Sequence, residues 1–367
     1  MNKKAIPHPS HVIGAKLTEA IRSFTAAAER TGSLHPEQLA IIYEQNWFKL
    51  FVSKNYNGLQ MSLPEALKIE ESLAWVDGSV GWTVTLCSGA NWFIGFLNPE
   101  LVNCIFKTDT VCLGGSGSTS GSARIIEGGY EITGYWRYAT GSAHATAFTA
   151  NCVIENNGTI MQNKEGSPVI KSFLFLREEV VVHYDWNGMG MQATSSNSFE
   201  VQQLRVHENR CFQIDRNFTF DDHPVYRFPF LQFAEATLAV NSSGMAIHFM
   251  DLCEPLFNER AKNKNYNKEA INVSIGCLHT SRKDLEEKRN SFYIAIENSW
   301  NECVHENSIA AEILSEVSKL SRELAATSRK LVDELYPYCG LIAANKHSEI
   351  NRVWRDLHTA SQHSLLI

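Results

Sequence analysis

Residues 134–145 read Gly-Tyr-Trp-Arg-Tyr-Ala-Thr-Gly-Ser-Ala-His-Ala, and the reading of this stretch decides the fold. Upstream, Ile125, Ile126, Tyr130 and Ile132 alternate roughly with small or polar residues around Gly128-Gly129. That pattern is a hairpin signal. Downstream, Ala147 to Ile154 predicts a second strand. Period-two geometry then puts Trp136, Tyr138 and Thr140 on one face and Arg137 and Ala139 on the other. A strand ending in Thr140-Gly141-Ser142 offers backbone N–H groups and two hydroxyls at one point. A planar, acceptor-rich ring could rest there with Trp136 alongside. A half-buried strand anchored in a core by its aromatic residues fits the same spacing.

Outward from this stretch the grammar changes on both sides. Residues 10 to about 107 read as helical. Pro36 stands at a first turn, followed by Leu39, Ile42, Tyr43, Trp47 and Leu50 at helical spacing. Ser62-Leu63-Pro64-Glu65 is a capping box. Val80 to Phe96 is apolar nearly all round, so it is buried on every side or lines a pocket. From about Thr108 the pattern is β. Val111 to Ala123 is rich in Gly and Ser, but it lacks the Lys of a phosphate-binding P-loop and is followed by a hairpin rather than a helix. A flexible loop and a ligand-cradling loop both remain open there. From about His223 the chain is again helical. Phe230 to Phe257 predicts one long helix, and a further helix follows Leu278–Ser281. The stripe from Ile309 to Leu335 predicts a bundle helix closed by Pro337, and a last helix spans about 341–366.

At 367 residues the chain is too long for one compact core, so two or three domains are expected. The ranges are 1–107, 108–222 and 223–367. A net charge of -7 without a basic block argues against a nucleic-acid partner. The apolar runs are broken well before 18 residues, so no membrane span is expected. Nine cysteines are scattered and never form Cys-x-x-Cys, and Met1 to Pro9 shows no apolar leader. They read as reduced thiols of a cytoplasmic protein, and no metal ligand set is assigned.

This α–β–α order, with four motifs, resembles the acyl-CoA dehydrogenase superfamily in its flavin-dependent monooxygenase branch, the two-component hydroxylases. Trp47–Gly58, Glu71–Ala74 and Asp77–Trp82 look like the N-terminal helical domain. Gly134–Ala145 looks like the flavin-contacting strand. Asn187–Phe199 is similar to the family's G-M-x-x-T-x-S segment, and Arg352–His363 looks like its C-terminal signature. The resemblance covers nearly the whole chain. It implies an α+β multidomain fold: a helical N-terminal domain, a middle β-barrel or sandwich, and a C-terminal four-helix bundle. It also implies a bound flavin and a homotetramer.

For the site, the resemblance implies Trp136, Tyr138, Thr140 and Gly141 against the flavin, Ser142 facing N5, and His363 as the imidazole beside the reacting oxygen or a phenol. Asn91 lies in the helix where many relatives carry a second histidine. Trp82 and Trp92 could wall an aromatic pocket or belong to the core, with His144 a secondary candidate. Arg282 and Arg289 could reach a flavin phosphate or lie on a solvated face. Arg355-Asp356 reads as an ion pair fixing the last helix. The sequence stops at Ile367, without the stretch that helps bind FAD in dehydrogenases, which leaves FMN and FAD both open. The leading expectation is an oxygenase component that uses O2, takes reduced flavin from a separate reductase and hydroxylates a small aromatic substrate. The alternatives are an acyl-CoA dehydrogenase, with Glu235 or Glu254 as its base, and a non-catalytic flavin-binding relative.

Overall fold

The computed structural model describes residues 6–306 and 308–367. Met1–Ala5, part of the segment read for a leader, lie outside the described residues. Helices come first: α1 (Ala15–Thr31), α2 (Pro36–Glu44), α3 (Leu63–Val76), α4 (Gly78–Asn91) and α5 (Pro99–Ile105). Local chemistry sets their starts. At α3 the capping box forms, with Glu65 accepting from the Ser62 N–H at 3.2 Å and from its hydroxyl at 2.5 Å. Asp77 ends α3 and caps α4, accepting from Val80 N–H at 2.9 Å. As its composition requires, α4 is buried on nearly all sides.

Eight strands follow: β1 (Leu113–Ile126), β2 (Gly129–Ala139), β3 (Ala147–Asn156), β4 (Thr159–Ile160), β5 (Ile170–Leu176), β6 (Val181–His183), β7 (Asn197–His207) and β8 (Cys211–Phe212). They form one sheet in the order β6-β7-β2-β1-β3-β5-β8, with β4 beside β3. Only the β1–β3 pairing is parallel among the described strands. Phe148 on β3 meets Phe199 on β7 at 4.9 Å although β1 and β2 lie between those strands. The sheet therefore curls around a core of its own, which contains Trp136, Phe148, Phe173, Phe175 and Phe199. The Gly-Ser segment at 111–123 is not a loop: most of it is the first half of β1, broken by an irregular register between Ser116 and Gly121.

The closing part is α6 (Phe230–Lys262), α7 (Lys268–His305), α8 (Ala311–Cys339), α9 (Leu341–Ala344) and α10 (Glu349–Ala360). The α7 helix starts ten residues before Leu278, capped by Asn267. Pro337 does not end α8, which runs two residues further. The expected terminal helix is split into α9 and α10, followed by a turn at Ser364–Leu366. The long helices pack as a bundle, with α6 against α7, α8 and α10. The N-terminal helices share one hydrophobic core with this bundle, so the fold has two cores, one helical and one inside the sheet. Among the described residues no helix is long and apolar enough to cross a membrane.

Candidate functional site

A cavity of about 220 Å³ lies where α4, the β1/β3 part of the sheet, α6 and the chain end converge. Each wall follows from sequence spacing. Thr85, Leu86, Gly89, Ala90 and Phe93 project from one face of α4 and its continuation. Phe230, Phe233 and Thr237 do so from the first turns of α6. The sheet contributes Gly115–Gly117, Thr140 and Asn151, and the chain end contributes His363 and Leu365. Three wider clefts of 490 to 720 Å³ are surface grooves carrying acidic and basic side chains. The 220 Å³ cavity has the opposite chemistry: its lining holds one ionisable side chain, His363, and no carboxylate.

The turn after α10 places that histidine. His363 Nδ1 accepts from Leu365 N–H at 3.3 Å, so the neutral ring carries its proton on Nε2. The ring lies edge-on to Trp82, 6.0 Å between centroids. Burial holds its pKa below the ordinary 6.5. At neutral pH it is therefore an uncharged imidazole with a free N–H.

Thr140 is the strand-end hydroxyl that reaches the cavity. Its Oγ1 lies 2.9 Å from Ser196 Oγ, which lies 2.7 Å from Thr194 Oγ1, and Thr194 donates to Met191 O at 2.8 Å. The relay has one consistent direction: Thr140 donates to Ser196 and Ser196 to Thr194. Thr140 Oγ1 keeps its lone pairs for an N–H donor. A reduced flavin ring presents such a donor at N5, and this cradle of flat sheet backbone, glycines and phenylalanines fits that ring.

Several expected site residues lie elsewhere. A bulge between Trp136 and Ala139, with Tyr138 at φ +67°, breaks the period-two alternation. Trp136, which precedes the bulge, points into the sheet core, its indole lying over the cross-strand pair Gly121–Gly134, where a Cβ would come within 2.2 and 2.4 Å of the ring. Tyr138 faces outward and is 68% exposed. Ser142 is wholly buried; it donates to Ser195 O at 2.7 Å and accepts from Asn197 at 3.0 Å. Asn91 is a joint between backbone segments, donating to Phe48 O at 2.7 Å and accepting from Leu113 N–H at 3.1 Å. Trp92 sits one layer behind the wall, stacked on Phe233 and Phe230 and donating to Val225 O.

Neither arginine is free for a phosphate. Arg289 is buried against Glu71, at 2.7 and 2.8 Å. Arg282 pairs with Asp251 and Glu254. Glu235 is buried and paired with Arg322, so neither glutamate considered as a dehydrogenase base is presented to the cavity. Gly141, at φ +77°, turns the chain after Thr140 and packs on Cys87, where a Cβ would lie 2.6 Å from Sγ. His144 stacks on Phe48 outside the cavity.

The two most specific motifs touch each other. Asp356 accepts from Met191 N–H at 2.6 Å, Thr359 from Gly190 N–H at 2.9 Å, and Arg355 donates to Met189 O at 2.8 Å. Arg355 pairs with Glu29 rather than with Asp356. Asp356 is buried, and burial together with Asp77 raises its pKa to about 7. The residues missed from the sequence are the walls, Phe93, Phe230 and Phe233. Their i, i+3 spacing at the start of α6 was a readable signal.

This architecture is that of the acyl-CoA dehydrogenase-like flavoproteins. Residues 236–366 match the family described as "Acyl-CoA dehydrogenase, C-terminal domain". The relatives the chain matches include flavin-dependent monooxygenases. It is 23% identical to the flavin-dependent monooxygenase, oxygenase subunit HsaA, of Rhodococcus jostii (strain RHA1), over 95% of this chain and 92% of that one. The crystal structure of 3-HSA hydroxylase from Rhodococcus sp. RHA1 superposes with a TM-score of 0.88 at 19% identity, covering 96% and 91% of the two chains. The complex of TdsC from Paenibacillus sp. A11-2 with FMN and indole superposes with a TM-score of 0.74 at 18% identity, covering 96% and 92%. The expected superfamily and fold are borne out.

Proposed function

We infer that this chain is the oxygenase component of a flavin-dependent monooxygenase, taking reduced flavin from a separate reductase and hydroxylating a small aromatic molecule. One observation carries the reading: the cavity presents a neutral imidazole and no carboxylate. Removing an α-proton from an acyl thioester requires an unprotonated base within reach of the substrate, and neither Glu235 nor Glu254 lines the cavity. The named relatives support the same reading.

When bound, the reduced flavin supplies the electrons that activate O2. The chain's residues do the rest. Thr140 Oγ1 would accept a hydrogen bond from a ring N–H of the flavin. His363 Nε2–H faces the cavity as a hydrogen-bond donor to the oxygen of a phenolic substrate. Phe93, Phe230 and Phe233 exclude water and bracket a flat substrate. The lining holds no Lys or Arg, so the flavin phosphate is met outside it. A second copy in a homotetramer, acting in the cytoplasm, is the proposed source, and FMN is the smaller demand.

The test is direct. Reduced FMN or FAD is mixed with protein, O2 and a panel of phenols and indoles, and O2 use and hydroxylated product are measured. Product formed in proportion to O2 supports the reading. Reduction of oxidised flavin on the protein by an acyl thioester, with no hydroxylation, would replace it with the dehydrogenase reading.

A further inference from the structure

Behind the cavity, three side chains that are far apart in sequence converge. Cys87 comes from α4, Cys112 from the residue before β1, and His144 from the turn after β2. Two sulfurs and one imidazole nitrogen lie within 4.8 Å of one another, the only such group of potential ligands among the described residues. Both thiols are completely buried. His144 Nε2 is buried without a hydrogen-bond partner, in a fold that otherwise satisfies most buried polar atoms. Cys87 and His144 crowd the same point beside Gly141: a Cβ built there would lie 2.6 Å from Cys87 Sγ and 3.2 Å from His144 Nε2.

We propose that Cys87, Cys112 and His144 form a binding site for one zinc-class divalent ion per chain, with water in the fourth position. The ligand chemistry suits the metal: two thiolates and an imidazole are a borderline-soft donor set. The geometry is within reach. A tetrahedral ion at ~2.3 Å from sulfur and ~2.0 Å from nitrogen holds its ligand atoms roughly 3.5–3.8 Å apart. From separations within 4.8 Å, the cluster therefore closes by roughly 1.3 Å at most. Binding releases the protons of both thiols and gives the orphaned nitrogen a partner. The site also has a structural consequence. Cys87 Sγ contacts Thr140 O at 3.7 Å, so the ion would pin the turn that carries Thr140 to α4.

The experiment uses the full-length protein, stripped of metal with a chelator under reducing conditions and titrated with Co²⁺. The expected result is one equivalent bound per chain, with thiolate-to-cobalt charge-transfer bands and the intense visible bands of tetrahedral cobalt, displaced by Zn²⁺. Cys112→Ser and His144→Ala should each weaken binding by more than the roughly 10–100-fold that loss of an outer-shell partner alone causes. Circular dichroism establishes that each variant is folded, and His144→Asn provides a milder variant if His144→Ala is not. Cys253→Ser is the control, because Cys253 and Cys339 form the other close thiol pair, 3.5 Å between sulfurs. Titrations without tetrahedral bands would overturn the proposal. So would bands that survive in folded Cys112→Ser or disappear in Cys253→Ser.

Discussion

Helix α4 separates two regions of opposite chemistry. On one side is the cavity, walled by phenylalanines, threonines and glycines around a single neutral imidazole. Behind α4 lies a charged knot. Glu71 on α3 takes two hydrogen bonds from Arg289 on α7, one from Tyr293 at 2.9 Å and one from Ser243 on α6 at 2.5 Å. Arg289 also donates to Pro7 O. Each partner repays part of the cost of taking two charges out of water. The contrast teaches where this chain spends its buried charge. The Arg-carboxylate pair holds three helices and the N-terminal segment in register, while the cavity is kept free of any group that would compete with a ligand or hold water.

If that division is right, the largest effect comes from breaking the knot. Arg289→Met leaves Glu71 buried and unpaired, and should cost about 3–5 kcal/mol of stability in denaturant unfolding. His363→Ala should do the reverse, lowering product formation by about 100-fold or more with the unfolding midpoint nearly unchanged. An equal loss of stability in both variants would erase the distinction between the two regions. The same histidine sets a pH limit. Burial disfavours its imidazolium, so the folded state takes up this proton at lower pH than the unfolded state, whose value is near 6.5. Its contribution to stability is full above that pH and is lost as pH falls through the depressed folded value. The acid limb of the product-forming rate should accordingly lie below pH 6.5 and vanish in His363→Ala.

Thr140→Val keeps the shape and removes one acceptor. A loss of about 1 kcal/mol, roughly five-fold, in reduced-flavin affinity is expected, read by equilibrium titration. An unchanged affinity would take Thr140 out of the cradle. The smallest effect belongs to Arg282→Ala. Arg282 lies seven residues before Arg289 on the same helix, but its side chain is 33% exposed and its partners Asp251 and Glu254 are 31% and 51% exposed. The change should stay within about 1 kcal/mol.

The pair Arg282 and Arg289 shows where reading the sequence stops. Both look alike by residue type and helical spacing, and both were candidates for a phosphate. Which one is buried depends on what α3 brings against α7. The strand at 134–145 makes the same point at shorter range. Its existence and its hairpin partner followed from alternation, and its expected place near a ligand from the resemblance. The bulge at Tyr138 did not: Trp136, before it, points into the sheet core, whereas the bulge turns Tyr138 into solvent and leaves Thr140 rather than Ser142 as the hydroxyl at the cavity. A bulge adds one residue to one strand, a small local change that reverses every later side-chain direction.

His363 was legible because the Arg352–His363 motif is contiguous. The phenylalanine walls, the Glu71–Arg289 knot and the Cys87–Cys112–His144 cluster were not, because each joins segments distant along the chain. The sequence by itself determined the element types, the α–β–α order and the family resemblance, all of which rest on periodicity, caps and contiguous motifs. Only the tertiary structure decided which polar groups face the cavity and which face each other. Burial and partner choice are properties of packing between segments, and no local pattern encodes them.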